Sequence, residues 1–226
     1  MRRCVIVGNA EIGDYGRTKG YLRDDDFLIF CDGGLKHVGG LGRKPDLIIG
    51  DFDSYPEARA RELGTEMIVL PCEKDDTDTV FATKEGMKRG FSEFLLIGVI
   101  GQRLDHTLGN VAILEMLEKA GCRGMIVDDY SEMTLVGAEP AYIDSNFSYF
   151  SLLNIGGKAE GVNIEGAKYP LHDAVITTDY QYGVSNEVAC RSAGGPSDGH
   201  DRAGLPADRQ ATVSVARGKL LLIKVF

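Results

Sequence analysis

The sequence predicts an α/β fold, a mostly parallel sheet with helices on both faces, followed by a C-terminal antiparallel β-sandwich. Three observations carry this. Short, continuous apolar runs that stop at glycine or an acidic residue recur as far as Val127, as strands buried on both faces require. Segments with helix-start and helix-stop signals lie between these runs. From about Ser131 helical periodicity is lost, and shorter apolar runs separated by turn residues replace it, the pattern of a small sandwich or barrel. The expected domains are 1–130 and 131–226.

The first strand is expected at residues 4–8, and later strands at Leu28 to Cys31, Leu47 to Gly50, Met67 to Leu70, Phe94 to Ile100 and Gly124 to Val127. Ser54-Tyr55-Pro56-Glu57 has the spacing of a capping box with proline in the first turn, so a helix is expected from Ser54 to about Leu63. A second helix is expected from near Asp76 to Gly90. A third runs from Asp105, which caps it, to Gly121, with Leu108, Val111, Ala112 and Leu117 on one side. In the second half, strands are expected at Met133 to Val136, Tyr149 to Ile155, Val162 to Ile164, Ala174 to Thr177, Thr212 to Ala216 and Leu220 to Phe226. Arg217-Gly218 is expected to form a hairpin turn. Residues 191–210, rich in Gly, Ala, Asp, Pro and Arg, read as a mobile surface excursion between strands.

The charge balance narrows the partners. Lys+Arg number 25 against 34 Asp+Glu, a formal net charge of −9, which argues against nonspecific nucleic-acid binding. A polyphosphate ligand would need a cation to offset mutual repulsion. The five cysteines are scattered, with no Cys-x-x-Cys pair, so free thiols in a reducing cytoplasm are expected, and no zinc site or disulfide framework. No stretch approaches a membrane span, and the apolar run after Met1-Arg2-Arg3 is too short for a signal peptide.

Four constellations carry the chemistry. Asp51 and Asp53 follow a strand one residue apart; in extended backbone their side chains share a face, so they either hold one hard cation or form an exposed acidic turn. In Lys74-Asp75-Asp76-Thr77-Asp78 the aspartates suit a helix N-terminus. Three of them beside a lysine also suit Mg2+ or a substrate amine, with Lys74 for phosphate and Asp75 and Asp78 on one side of the first turn. Gly101-Gln102-Arg103-Leu104-Asp105-His106, with Asn110 beyond, places Arg103 in a loop at a helix N-terminus, where phosphate is readily held. His106 there is either a binding residue or a merely packed one. Asp32-Gly33-Gly34 lets backbone approach a ligand closely, or is a simple glycine turn. A Walker-type phosphate loop is absent, as is a convincing dinucleotide-binding glycine motif after the first strand.

Taken together and in this order, these motifs resemble the thiamine pyrophosphokinase (thiamine diphosphokinase) family. Lys168-Tyr169-Pro170-Leu171 and Ser185-Asn186-Glu187 resemble its C-terminal signatures, so the likeness spans nearly the whole chain apart from 191–210. The resemblance implies an α/β catalytic domain, a β-sandwich contributing to the thiamine site, and a homodimer. It also implies Mg2+-dependent transfer of diphosphate from ATP to the hydroxyl of thiamine, releasing AMP. By that likeness Asp51, Asp53, Asp75 and Asp78 hold metal and phosphates. Asp32, Gly33, Lys74, Arg103, Asp105, His106 and Asn110 serve ATP, and Ser185, Asn186 and Tyr169 serve thiamine. The alternatives are a pyrophosphokinase acting on a pterin alcohol and a metal-dependent phosphohydrolase.

Overall fold

A computed structural model describes residues 2–73, 75–189 and 210–226. The chain divides into two compact units, Met1–Glu132 and Met133–Phe226.

The first unit is built on six strands: β1 (Cys4–Val7), β2 (Phe27–Cys31), β3 (Leu47–Gly50), β4 (Glu66–Val69), β5 (Glu93–Ile97) and β6 (Arg123–Val127). They lie in the order β6-β5-β1-β2-β3-β4, and every neighbouring pair is parallel. The central strand β1 is wholly buried, with Val5 opposite Leu28 on one side and Leu95 on the other. Burial on both sides of each residue explains why this strand reads as an unbroken apolar run.

The order also sets where a ligand belongs. From β1 the chain steps outward through β2, β3 and β4, then returns to the far side of β1 for β5 and β6. Parallel crossovers are right-handed, so this reversal sends the connections to opposite faces of the sheet. The loops leaving β1 and β5 part at that switch point, where open α/β sheets bind ligands. Glycine is needed there: a Cβ on Gly8 would stand 2.5 Å from the Gly98 carbonyl oxygen.

The helices of this unit are α1 (Tyr15–Gly20), a 3-10 helix (Asp32–His37) running into α2 (Val38–Leu41), α3 (Glu57–Arg61), α4 (Asp78–Lys88) and α5 (Leu104–Lys119). Three expectations are corrected. Ser54 does not cap α3; Pro56 occupies the N-cap position with no side-chain bond, because Ser54 is spent on two aspartates described below. Asp105 does not cap α5; Arg103 is the N-cap and Asp105 lies in the first turn. The buried face of α5 is Asn110, Ile113, Leu114 and Leu117, a 3-4-7 spacing set by close packing on Gly124 of β6. Leu108 falls on the opposite side and is exposed.

The second unit contains β7 (Ser131–Val136), β8 (Ala141–Asp144), β9 (Tyr149–Leu153), β10 (Lys158–Glu165), β11 (Leu171–Thr177), β12 (Gly183–Asn186), β13 (Gln210–Arg217) and β14 (Leu220–Val225). Strands β12-β9-β14-β7 form one row, and β11-β10-β13-β8 form a separate antiparallel sheet. Alternate residues of each row, among them Phe150, Leu152, Val162, Ile164, Val213 and Leu222, fill a shared core. Arg217-Gly218 is therefore not a hairpin turn: β13 pairs with β10 and β8, whereas β14 pairs with β9. The chain changes sheets there, with Gly218 at φ +81°. Of the excursion expected at 191–210, Gln210 opens β13 and the rest lies outside the described residues.

Candidate active site

A cleft of about 580 Å³ opens beyond the carboxyl ends of β1 to β5, within the size range of small-ligand sites. A buried polar group of its lining is Asp32, which follows β2 and begins the 3-10 helix. Asp32 is 4% exposed and sits at φ +29°, a conformation that side-chain-bearing residues seldom take. Such strain persists where surrounding structure imposes it. Here a glycine helps impose it: a Cβ on Gly50 would stand 2.7 Å from Asp32 Cβ, so only glycine lets the end of β3 approach so closely.

The Asp32 carboxylate has two unlike oxygens. Its Oδ2 accepts the Ser54 backbone N–H at 3.0 Å, while its buried Oδ1 accepts no hydrogen bond among the described residues. Burial pushes the Asp32 carboxyl up to about 6; the Asp53 and Asp78 carboxylates push the same way, and the Ser54 N–H opposes them. An orphaned buried acceptor is costly unless something fills the role of donor.

Asp51 and Asp78 supply the rest of the arrangement. One carboxylate oxygen from each of Asp32, Asp51 and Asp78 lies within 4.8 Å of the others. Clustered acceptor-only oxygens of this kind repel one another unless a hard cation lies between them, and carboxylate oxygen is the donor that Mg2+ and Ca2+ prefer. The residues present fit such an ion.

The carboxylates come together otherwise than strand alternation suggests. Phe52 has φ +60°, so the backbone between Asp51 and Asp53 is not extended and the two do not simply share a face. Asp51 joins Asp32 and Asp78, while Asp53 is exposed and accepts the Ser54 hydroxyl at 2.8 Å. A similar shift separates Asp75 from Asp78. Thr77 caps α4, its hydroxyl accepting the Val80 N–H, so Asp78 opens the helix and Asp75 precedes it. Asp75 is exposed on the cleft wall, and Asp76 is paired with Lys84 at 2.6 Å. Lys74, expected to meet phosphate, lies outside the described residues.

Further lining comes from the β5–α5 connection through Gln102 and Arg103 and from the first turns of α5 through His106 and Asn110. Arg103 holds Asp105 through two bonds, at 3.0 and 2.6 Å, which keeps the Asp105 carboxyl well below the usual carboxylate range. Both side chains are largely exposed, so the guanidinium stands at the surface of the wall. Asn110 is buried and donates to the Val99 carbonyl at 2.7 Å; it shapes the loop that ends β5. Gly33 lines the floor beside Asn9, whose side chain a Cβ on Gly33 would strike.

The remaining expected residues lie in the second unit and form a cluster of their own. Asn186 is buried. Its carbonyl oxygen accepts the N–H groups of Tyr169 at 3.0 Å and Glu187 at 2.9 Å, and its amide donates to the Tyr169 carbonyl at 2.7 Å. Its polar atoms are thus engaged in holding the Tyr169 backbone, and Lys168 pairs with Glu187 at 2.8 Å. Ser185 is exposed at φ +58°, and the Tyr169 ring is 58% exposed.

Sequence reasoning passed over several cleft residues: Asn9, Ala10 and Glu11 after β1, and Thr107 in α5. Thr107 both accepts from the Gly101 N–H and donates to its carbonyl, at 3.1 Å each. The signal for the first group was present in Val5-Ile6-Val7-Gly8, a central strand ending at glycine, which marks the next residues as ligand-facing.

Comparison with known proteins assigns both units. Residues 18–126 match the family described as thiamin pyrophosphokinase, catalytic domain, and residues 141–193 match thiamin pyrophosphokinase, vitamin B1 binding domain. The chain is 27% identical over 229 residues to a thiamine pyrophosphokinase of Bacillus subtilis, covering 99% of each. A crystal structure of thiamine pyrophosphokinase from Bacillus subtilis superposes with a TM-score of 0.81 at 23% identity, covering 99% of both chains. The thiamin pyrophosphokinase of Candida albicans superposes at 0.75 and 13% identity, covering all of this chain and 89% of that one. At such identities the structural likeness speaks for the fold.

Proposed function

Because the chain belongs to the thiamin pyrophosphokinase family and transfers diphosphate from ATP to thiamine, we propose that this chemistry takes place at the Asp32, Asp51 and Asp78 carboxylates. The observation that carries the proposal is the convergence of one oxygen from each within 4.8 Å, with an Asp32 oxygen buried and without a donor among the described residues. The comparisons give no support to the pterin or phosphohydrolase alternatives.

Asp32, Asp51 and Asp78 would hold Mg2+, and Asp53 and Asp75, exposed nearby, would meet its water or the phosphates. When bound, the ion supplies positive charge against the phosphate oxygens. The hydroxyethyl oxygen of thiamine attacks the β-phosphorus of ATP, the bond to the α-phosphate oxygen breaks, and AMP leaves. A carboxylate of the group, Asp51 or Asp78, orients the attacking hydroxyl and takes its proton. Arg103 exchanges part of its pairing with Asp105 for phosphate oxygen and stabilises charge on the leaving side. His106 and Thr107 complete that wall, and Asn110 keeps the loop in place.

Thiamine carries a fixed positive charge, which suits a strongly acidic cleft. Within the second unit, Ser185 and the exposed Tyr169 are polar and aromatic groups of the kind that hold a thiazolium, and Asn186 holds the Tyr169 backbone. A homodimer suits the exposed tyrosines of that unit, Tyr142, Tyr149, Tyr180 and Tyr182, since aromatic side chains concentrate at interfaces. No helix among the described residues is long and apolar enough to cross a membrane. The described cysteines, Cys4, Cys31, Cys72 and Cys122, are free, which favours a reducing cytoplasm.

The test is AMP release followed by chromatography from ATP and Mg2+, with and without thiamine. Thiamine-dependent AMP formation is expected. Thiamine-independent phosphate release, or binding without turnover, would contradict the reading.

A further inference from the structure

Residues 9–14, which leave β1 before α1, form one wall of the cleft through Asn9, Ala10 and Glu11. Groups from other segments hold this wall. The Asp129 carboxylate accepts the N–H groups of Gly13 at 2.7 Å and Asp14 at 2.9 Å. Lys36 donates to the Asn9 carbonyl at 2.7 Å. His37 meets the Ala10 carbonyl through Nε2 at 2.8 Å. Ala10 lies at the switch point itself: its N–H donates to the Gly98 carbonyl at 2.8 Å, and a Cβ on Gly101 would stand 2.9 Å from Ala10 Cβ.

Of these groups His37 is the most enclosed, 1% exposed. A carbonyl oxygen only accepts, so Nε2 carries the ring proton. In the neutral ring Nδ1 then accepts from the Tyr15 hydroxyl, 2.7 Å away. The Tyr15 ring is held in turn by α2, where a Cβ on Gly40 would come within 2.3 Å of it. Tautomer and ring orientation are thus both set before a ligand arrives.

We propose that His37, oriented by Tyr15, is a positioning residue for the nucleotide. Through the Ala10 carbonyl it fixes the Asn9–Glu11 wall without touching a substrate. The inference rests on the reading of the cleft as the ATP site. Preorganisation lowers the ordering cost of binding, so the effect falls on ATP affinity and not on thiamine or the chemical step.

The experiment compares wild type with His37→Ala, His37→Gln and Tyr15→Phe, by titration calorimetry with ATP and Mg2+ and by steady-state kinetics. His37→Ala raises the ATP Kd and KM about fivefold or more, with kcat and the KM for thiamine within about twofold. His37→Gln keeps an N–H donor for the Ala10 carbonyl and recovers most of the loss; Tyr15→Phe shows a smaller rise in the ATP Kd. If His37→Ala does not fold, the ordering of wild type, His37→Gln and Tyr15→Phe decides. ATP affinity unchanged in folded His37→Ala and in Tyr15→Phe, or kcat falling with ATP affinity intact, overturns the inference. A wild type that binds ATP with this dependence but makes no AMP with thiamine would overturn the functional reading and leave the positioning role standing.

Discussion

Asp32 Oδ2 receives the backbone N–H of Ser54 at 3.0 Å, so a carboxylate at the end of β2 pins the turn that follows β3. Asp32 Oδ1 is buried and has no hydrogen-bond donor among the described residues, and one Asp32 oxygen lies within 4.8 Å of oxygens of Asp51 and Asp78. The turn is thereby fixed, and a cation or a proton on the carboxyl relieves the cost of burying that oxygen.

Cation-dependent stability follows. Mg2+ at a hundred times its dissociation constant should add about 2.7 kcal/mol to wild type. In Asp32→Asn the gain should fall to a small fraction of that, while the metal-free variant melts no lower than metal-free wild type. Differential scanning fluorimetry against Mg2+ concentration measures both; equal gains in the two proteins would remove Asp32 from the cation site.

Arg103 separates function from stability. Its pairing with Asp105 is exposed, and exposed pairs contribute little to folding. Arg103→Ala should leave the melting temperature essentially unchanged while lowering kcat/KM for ATP about tenfold or more. Steady-state kinetics beside a thermal melt checks this, and near-normal kinetics would take Arg103 out of the nucleotide site.

Asn186 should behave in the opposite way. Asn186→Ala strips partners from the Tyr169 N–H and carbonyl and from the Glu187 N–H, at a cost of about 2–3 kcal/mol by urea unfolding. The KM for thiamine should rise as Tyr169 loosens. A stable variant with an unaltered thiamine KM would mean that Tyr169 is held by other means.

His37 gives a pH dependence. Burial is the main cause that holds its pKa below that of an ordinary histidine; the Lys36 charge adds to this, and the Ala10 carbonyl and Glu11 oppose it. The unfolded state therefore binds the extra proton first. The stabilisation is present above about pH 6.5 and is lost as the pH falls below it, because a protonated ring no longer accepts from Tyr15. The melting temperature of wild type should fall more steeply than that of His37→Gln on acidification from about pH 7.5 to about 5.5; parallel curves would contradict the assignment.

Much of this was legible in the sequence, for reasons that particular residues make plain. The strands of the first unit are apolar throughout because both faces are covered, so Leu47 to Gly50 stands out at sight. The aspartates stood out through their spacing. Their grouping did not, because it depends on the left-handed turn at Phe52 and on the β2–β3 register that brings Asp32 beside Asp51. The short α1 and the 3-10 helix lack a clear apolar period, so nothing in the sequence singles out Tyr15 and His37. Arg217-Gly218 looks like any tight turn; only pairing partners reveal a change of sheet.

The proposed transfer runs through the carboxylate group around Asp32. Thiamine-dependent AMP formation by Asp51→Asn, with Asp75→Asn alongside, tests it most directly. Asp51 lies within the group and its variant should turn over at least about tenfold more slowly, a barrier increase over about 1.4 kcal/mol. Asp75, exposed on the wall, should show the smaller loss. Near-normal turnover of Asp51→Asn in a folded protein would contradict the account.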